Sequence, residues 1–278
     1  MSKFSETLEE FRLYLTDSGR DPGTADLYVM HVRSADKLTD PLARLRDSSL
    51  APFTRRSIKA ALKSWAVWQE DESLLKRLKN FKMPPPTRKN EKIPLEHEDW
   101  QALVNLLETV KETPAVLVIG LMAVRGFRVG DVLRMRKTDV EKALKSKVLT
   151  FEAKGGRYLN FGVSKPVARW LRPFVDYKGW TTIASLLAPN SDTEDKAVKA
   201  AKMQVRRLLQ TLGDEVGIEG IYPHRLRRTV ATYFLEKVGG DIVKLKDWMQ
   251  WQNINTVAGY VDHSRREELD LIGETLLD

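Results

Sequence analysis

Apolar residues recur near the helical period from residue 1 to about 80, with Leu8, Phe11, Leu13 and Leu15 early and Ile58, Leu62, Trp65 and Trp68 later. Breakers separate the runs at Asp21-Pro22-Gly23 and at Asp40-Pro41. Thr24 is the expected N-cap of a helix carrying Tyr28 and His31, and Thr54 that of one beginning near Arg55. This half reads as a small all-helical bundle. From Lys82 to Pro94 the segment KMPPPTRKNEKIP has three successive prolines, basic residues and no apolar period, which predicts an extended linker. The expected organisation is therefore a helical domain over 1–81, a linker over 82–93 and a larger domain over 94–278.

In the larger domain, Pro94 to Leu107 restarts as a helix, and Pro114 to Val124 is apolar nearly all round, as a helix inside a core must be. Gly126 interrupts it, and Val129, Val132 and Leu133 open a new stripe. Two strands are expected, Val148 to Ala153 and Arg157 to Val163, flanking Lys154-Gly155-Gly156, a hairpin-type turn because glycine tolerates positive φ. Helical patterns then return at about 164–176, 193–213, 224–238, 241–249, 253–261 and 265–276. The predicted fold is mainly α with a small β-sheet, without internal repeats.

Composition narrows the chemistry. No apolar run approaches the roughly 20 residues of a membrane helix, and the N-terminus lacks the basic start and unbroken apolar stretch of a secretory signal, so a cytoplasmic protein is expected. With no cysteine and four scattered histidines, disulfides, thiolate catalysis and a dedicated metal site are not expected. A net charge of +8 and a pI near 9.5 suit a polyanionic partner, since Lys and Arg that neutralise phosphates release counterions.

Three segments carry candidate chemistry. In Tyr222-Pro223-His224-Arg225-Leu226-Arg227-Arg228-Thr229, proline stands just ahead of a helix whose N-terminal N–H groups can meet a phosphate. Leu226, Val230, Tyr233 and Phe234 form the apolar arc, and Arg227 falls at its edge with His224 one turn back. A solvated basic helix would have the same pattern. In Val124-Arg125-Gly126-Phe127-Arg128-Val129-Gly130-Asp131, the glycine sets Arg128 at the start of a helix, with Asp131 placed to brace it. A surface ion pair is the alternative there, and an exposed hairpin lysine is the alternative for Lys154.

Taken together these segments resemble the tyrosine recombinase family over residue 94 to the C-terminus. Gly126, Phe127, Arg128, Asp131, Val132 and Leu133 match its first signature, Lys154 its hairpin lysine, and His224 and Arg227 its His-x-x-Arg. Trp251 precedes Tyr260 by nine residues, the family's interval before its nucleophile. Where the family most often has Gly-His this chain has Gln250-Trp251; tryptophan also occurs there, able to donate its indole N–H but not to exchange a proton, and packing alone is its other role.

The resemblance implies a helical core-binding (SAM-like) domain and a mixed α/β catalytic domain closing as a C-shaped clamp on double-stranded DNA. It implies cleavage and rejoining through a 3′-phosphotyrosyl bond to Tyr260, with Arg128, His224, Arg227 and Trp251 around the phosphate, Lys154 protonating the leaving oxygen, and neither metal nor ATP. It further implies a homotetramer on DNA, monomeric or weakly associated when free, exchanging strands through a Holliday junction near the nucleoid, with a possible directionality factor. A C-terminal helix over 265–277 would dock on a neighbour or on its own domain. Arg55, Arg56, Lys59 and Lys63 on one helix and Arg88, Lys89 and Lys92 in the linker are candidate phosphate contacts. A type IB topoisomerase and a catalytically silent DNA-binding factor are the competing readings.

Overall fold

A computed structural model describes residues 3–83, 93–153 and 156–252. By contacts the chain divides into two compact units, Met1–Glu91 and Lys92–Asp278.

The first unit contains five helices among the described residues: α1 (Lys3–Asp17), α2 (Pro22–Asp36), α3 (Ala43–Arg46), α4 (Pro52–Trp68) and α5 (Glu72–Asn80). Helix α4 is buried on two sides. Its Ala61 packs with Leu8, Phe11, Leu15 and Tyr28, while Ile58, Leu62 and Ala66 pack with Leu42, Leu45, Leu74 and Leu78. Of the four early apolar positions, Leu13 is the exception, half exposed on the outer face of α1.

Both expected caps move upstream. Asp21, not Thr24, caps α2, accepting from the Thr24 amide at 3.3 Å, and α4 starts after Ala51 rather than Thr54. In each case proline occupies the first helical position, where its fixed φ and missing N–H cost nothing, and draws the start toward itself.

The second unit is built round α7 (Pro114–Arg125), whose Val116 to Ala123 are all buried. Against it pack α6 (His97–Thr109), α8 (Val129–Arg134) and, later in the chain, α10 (Lys165–Leu171), α11 (Ile183–Leu187), α12 (Glu194–Glu215) and α13 (Pro223–Lys237). Helix α9 (Lys137–Ser146) leads into strands β1 (Val148–Ala153) and β2 (Arg157–Gly162), and α14 (Ile242–Trp248) follows α13. The strands pair antiparallel with Phe151 opposite Leu159 and Ala153 opposite Arg157. Their inner face buries Leu149, Phe151, Leu159 and Phe161, and their outer face exposes Thr150, Glu152 and Asn160 beside Val148 and Tyr158, the alternation of a sheet with one wet side.

The expected helix at 164–176 splits: α10 ends at Leu171 and Arg172–Asp176 continues as a 3-10 turn, since Pro173 lacks an amide for the α-helical bond. The first segment of the unit is pinned to α13. Leu95 donates its amide to Thr229 Oγ1 (2.8 Å) and accepts at its carbonyl from the Tyr233 hydroxyl (2.8 Å). Among the described residues no helix is long and apolar enough to cross a membrane. The sequence patterns at 253–261 and 265–276 lie outside the described residues.

Candidate active site

The end of α7 decides where Arg128 points. Gly126 adopts φ +67 and its amide returns to the Met122 carbonyl at 2.9 Å, a left-handed helix stop that a side chain would strain. Phe127 then drops into the hairpin core, its ring edge-on to Phe161 at 4.9 Å. With Phe127 facing in, Arg128 faces out at the head of α8, its Nη1 3.6 Å from Oδ2 of the nearly buried Asp131.

On α13 the buried face of Leu226 and Val230 carries Arg227 in with it; only 5% of Arg227 is exposed. Its Nη1 donates to the Gly126 carbonyl, so the glycine that aims Arg128 also holds Arg227. His224, one turn earlier, remains exposed on the first turn of α13.

The position of Trp251 follows from how α14 ends. Gln250 takes φ +54, the Trp251 amide bonds back to the Lys246 carbonyl at 2.9 Å and the Gln250 amide to the Asp247 carbonyl at 3.2 Å. This is a Schellman stop, with glutamine in the place glycine usually fills, helped by its own side-chain amide donating to Asp247. Two arginines hold the terminal carbonyls: Arg125 donates to Trp248 and Arg157 to Gln250 (3.0 Å). The Arg125 guanidinium also lies 3.6 Å from the Trp248 ring centroid and 4.8 Å from that of Phe161. So fixed, Trp251 packs with Ala231, Leu235, Leu245 and Met249, and the Arg227 guanidinium stands 5.5 Å from its ring.

These side chains line one cavity of about 600 Å³. Arg128, Asp131, His224, Arg227 and Trp251, singled out from the sequence, all reach it, together with Arg134, Arg157 and Lys202, which were not. Lys154 and Tyr260 lie outside the described residues, although Ala153 and Arg157 on either side of the hairpin turn line the cavity. Behind it, Arg125 is pushed down to about 9, first by burial and then by the charge of Arg227. Several permanent cations and one carboxylate around a small cavity suit an oxyanion such as a phosphate ester, which guanidinium groups grip through paired donors.

The other candidate cations belong to the first unit or the linker. Arg56 and Lys63 are exposed on α4 and Arg55 is partly buried, whereas Lys59 donates to the Phe81 carbonyl at 2.8 Å. Arg88, Lys89 and Lys92 lie outside the described residues. Of the residues missed in sequence, Arg157 had a signal in its place beside the hairpin turn. Arg134 and Lys202 had none, because their partners are distant in the chain, and Arg125 was marked only as the last residue of a buried helix.

Comparison with known proteins gives the family of the chain. Residues 94–267 match the phage integrase family. The chain is 25% identical to the tyrosine recombinase XerA of Thermococcus kodakarensis, over 96% of both chains. It is 24% identical to XerA of Pyrococcus horikoshii, over 92% of this chain and 88% of that protein. In fold it is similar to a transposon integrase solved in complex with circular intermediate DNA (13% identity, 94% of this chain and 98% of the other, TM-score 0.64). With the family matched over most of the second unit and its signature arginines facing one cavity, the chain belongs to the phage integrase family, the tyrosine recombinases.

Proposed function

We propose that the cavity holds a phosphodiester of duplex DNA for attack by Tyr260. A tyrosine recombinase is a site-specific enzyme of DNA cleavage and rejoining, and the observation that carries its mechanism here is the gathering of Arg128, His224, Arg227 and Trp251 on one cavity. The Tyr260 oxygen bonds to phosphorus, the bond to the 5′-oxygen breaks, and the DNA 3′-phosphate remains as an ester on the enzyme. Arg128 and Arg227 offset the charge growing on the non-bridging oxygens. His224 accepts the phenolic proton, needed because free tyrosine is mostly protonated at neutral pH. Trp251 donates its indole N–H, and Lys154 protonates the leaving 5′-oxygen. Ester energy is retained, so reversal joins a new strand without ATP or metal.

An oxyanion in the cavity would also relieve Arg125, whose charged form burial and Arg227 oppose. In the wider assembly the first unit serves as a core-binding domain that completes a clamp on DNA. Arg55, Arg56, Lys59 and Lys63, with Arg88, Lys89 and Lys92, meet phosphates. Four protomers joined through 265–277 exchange strands through a Holliday junction at the nucleoid, with a directionality factor choosing the outcome. The full-length likeness to XerA recombinases and to an integrase in complex with DNA supports this reading.

Duplexes found by footprinting beside the gene, nicked near the cleavage point, test it. The wild-type chain should become covalently attached, and Tyr260→Phe should bind the same duplex without attaching. An adduct that persists in Tyr260→Phe removes Tyr260 as nucleophile. Relaxation of plasmid lacking the site, as efficient as of plasmid carrying it, would favour a topoisomerase.

A further inference from the structure

We propose that Lys202 is a further phosphate-binding residue of this cavity, admitted to it by the absence of a side chain at Gly130. The proposal rests on the cavity being a DNA phosphate site. Lys202 comes from α12, away from the family signatures on α8 and α13, yet it lines the cavity with Arg128 and Arg227.

Its side chain crosses α8 at residue 130. A Cβ there would stand 2.9 Å from Lys202 Cε and 3.0 Å from Nζ, closer than side chains pack. Gly130 is not in the left-handed region, so its backbone does not require glycine; what is required is the space. Glycine inside a helix is unfavourable relative to alanine, and here the vacant volume is filled by the tip of a lysine that reaches the cavity. The clash involves only the flexible end of Lys202, so a side chain at 130 would displace the ammonium and leave α8 in place.

Charge supports the same assignment. Arg128 faces Asp131, and Arg134 faces Asp195 at 2.8 Å. Arg157 and Arg227 donate to backbone carbonyls. Asp131 is the one carboxylate on the cavity wall among the described residues. A lysine led into this wall suits a backbone phosphate, which a flexible ammonium meets as a point charge.

The test is the salt dependence of binding to a fluorescent DNA duplex by the full-length chain. Each phosphate contact contributes about 0.9 to the slope of log affinity against log salt, so Lys202→Met should make that slope shallower by about one unit. Lys202→Arg should restore it. Gly130→Ala, with Lys202 intact, should reproduce part of the loss while thermal stability holds or rises, and combining it with Lys202→Met should add nothing further.

If Arg227→Ala flattens the slope and Lys202→Met does not, Lys202 is no phosphate contact and the cavity reading stands. If neither changes it, the phosphate reading of the cavity fails and this proposal with it. Additive losses from Gly130→Ala and Lys202→Met would overturn the link between the two residues.

Discussion

Arg157 and Arg125 act on Trp251 through backbone carbonyls. Arg125 caps the last carbonyl of α14 and Arg157 binds the Gln250 carbonyl in the turn just past it, and between them they fix the turn that carries Trp251 to Arg227. Arg157→Met removes one of these bonds while keeping the stem. DNA affinity should fall modestly, whereas single-turnover cleavage should fall by about tenfold to a hundredfold, since small misplacements are costly in a preorganised site. Arg157→Lys, which can still donate to the Gln250 carbonyl, should recover part of the rate. Equal losses in binding and cleavage, with no recovery in lysine, would count against a positioning role.

At this scale the sequence was legible where local spacing carries the information. Arg128 and Asp131 share one helix start, and His224 and Arg227 one helix face. Arg125 was legible only as the end of a buried helix, because its cage of Trp248 and Phe161 is assembled by folding. Lys202 was hidden for the same reason: the vacancy it uses belongs to another helix.

Among elements, α2 and α4 of the first unit meet at a buried histidine. His31 Nε2 lies 3.1 Å from Ser57 Oγ, and burial, followed by the charge of Arg44, holds its pKa below the usual 6.5. The unfolded chain therefore takes up a proton at a higher pH than the folded one. Stability from this site is present above about pH 6.5 and is lost as pH falls from there through the folded-state pKa. Hydrogen-exchange protection of α2 and α4 amides should accordingly weaken between roughly pH 8 and pH 5, and His31→Gln should flatten that dependence. A wild-type profile that is already flat would contradict it.

Periodicity located the long helices well. It misjudged helix starts at Thr24 and Thr54, where proline outweighs a capping hydroxyl, and it ran through Pro173, where apolar spacing continues although hydrogen bonding cannot. The short α9 and α11 were not anticipated: α11 has only five residues, and α9 buries little beyond Val140 and Ala143.

For the whole molecule, composition and pattern were enough to anticipate a mainly helical chain with one small hairpin, because a single apolar helix, α7, organises the second unit and only one stretch alternates. Positive charge pointed to a polyanion. The site itself needed the fold, which brings residues from α8, β2, α12, α13 and the end of α14 to one cavity.

The central claim is that this cavity presents a DNA phosphorus to Tyr260. Its most direct measurement is mass spectrometry of the protein after trapping on a nicked duplex, nuclease digestion and proteolysis. The account predicts a nucleotide remnant, linked through its 3′-phosphate, on the peptide containing Tyr260, and little adduct from Arg227→Ala. A remnant on any other residue, or undiminished adduct in Arg227→Ala, would contradict it.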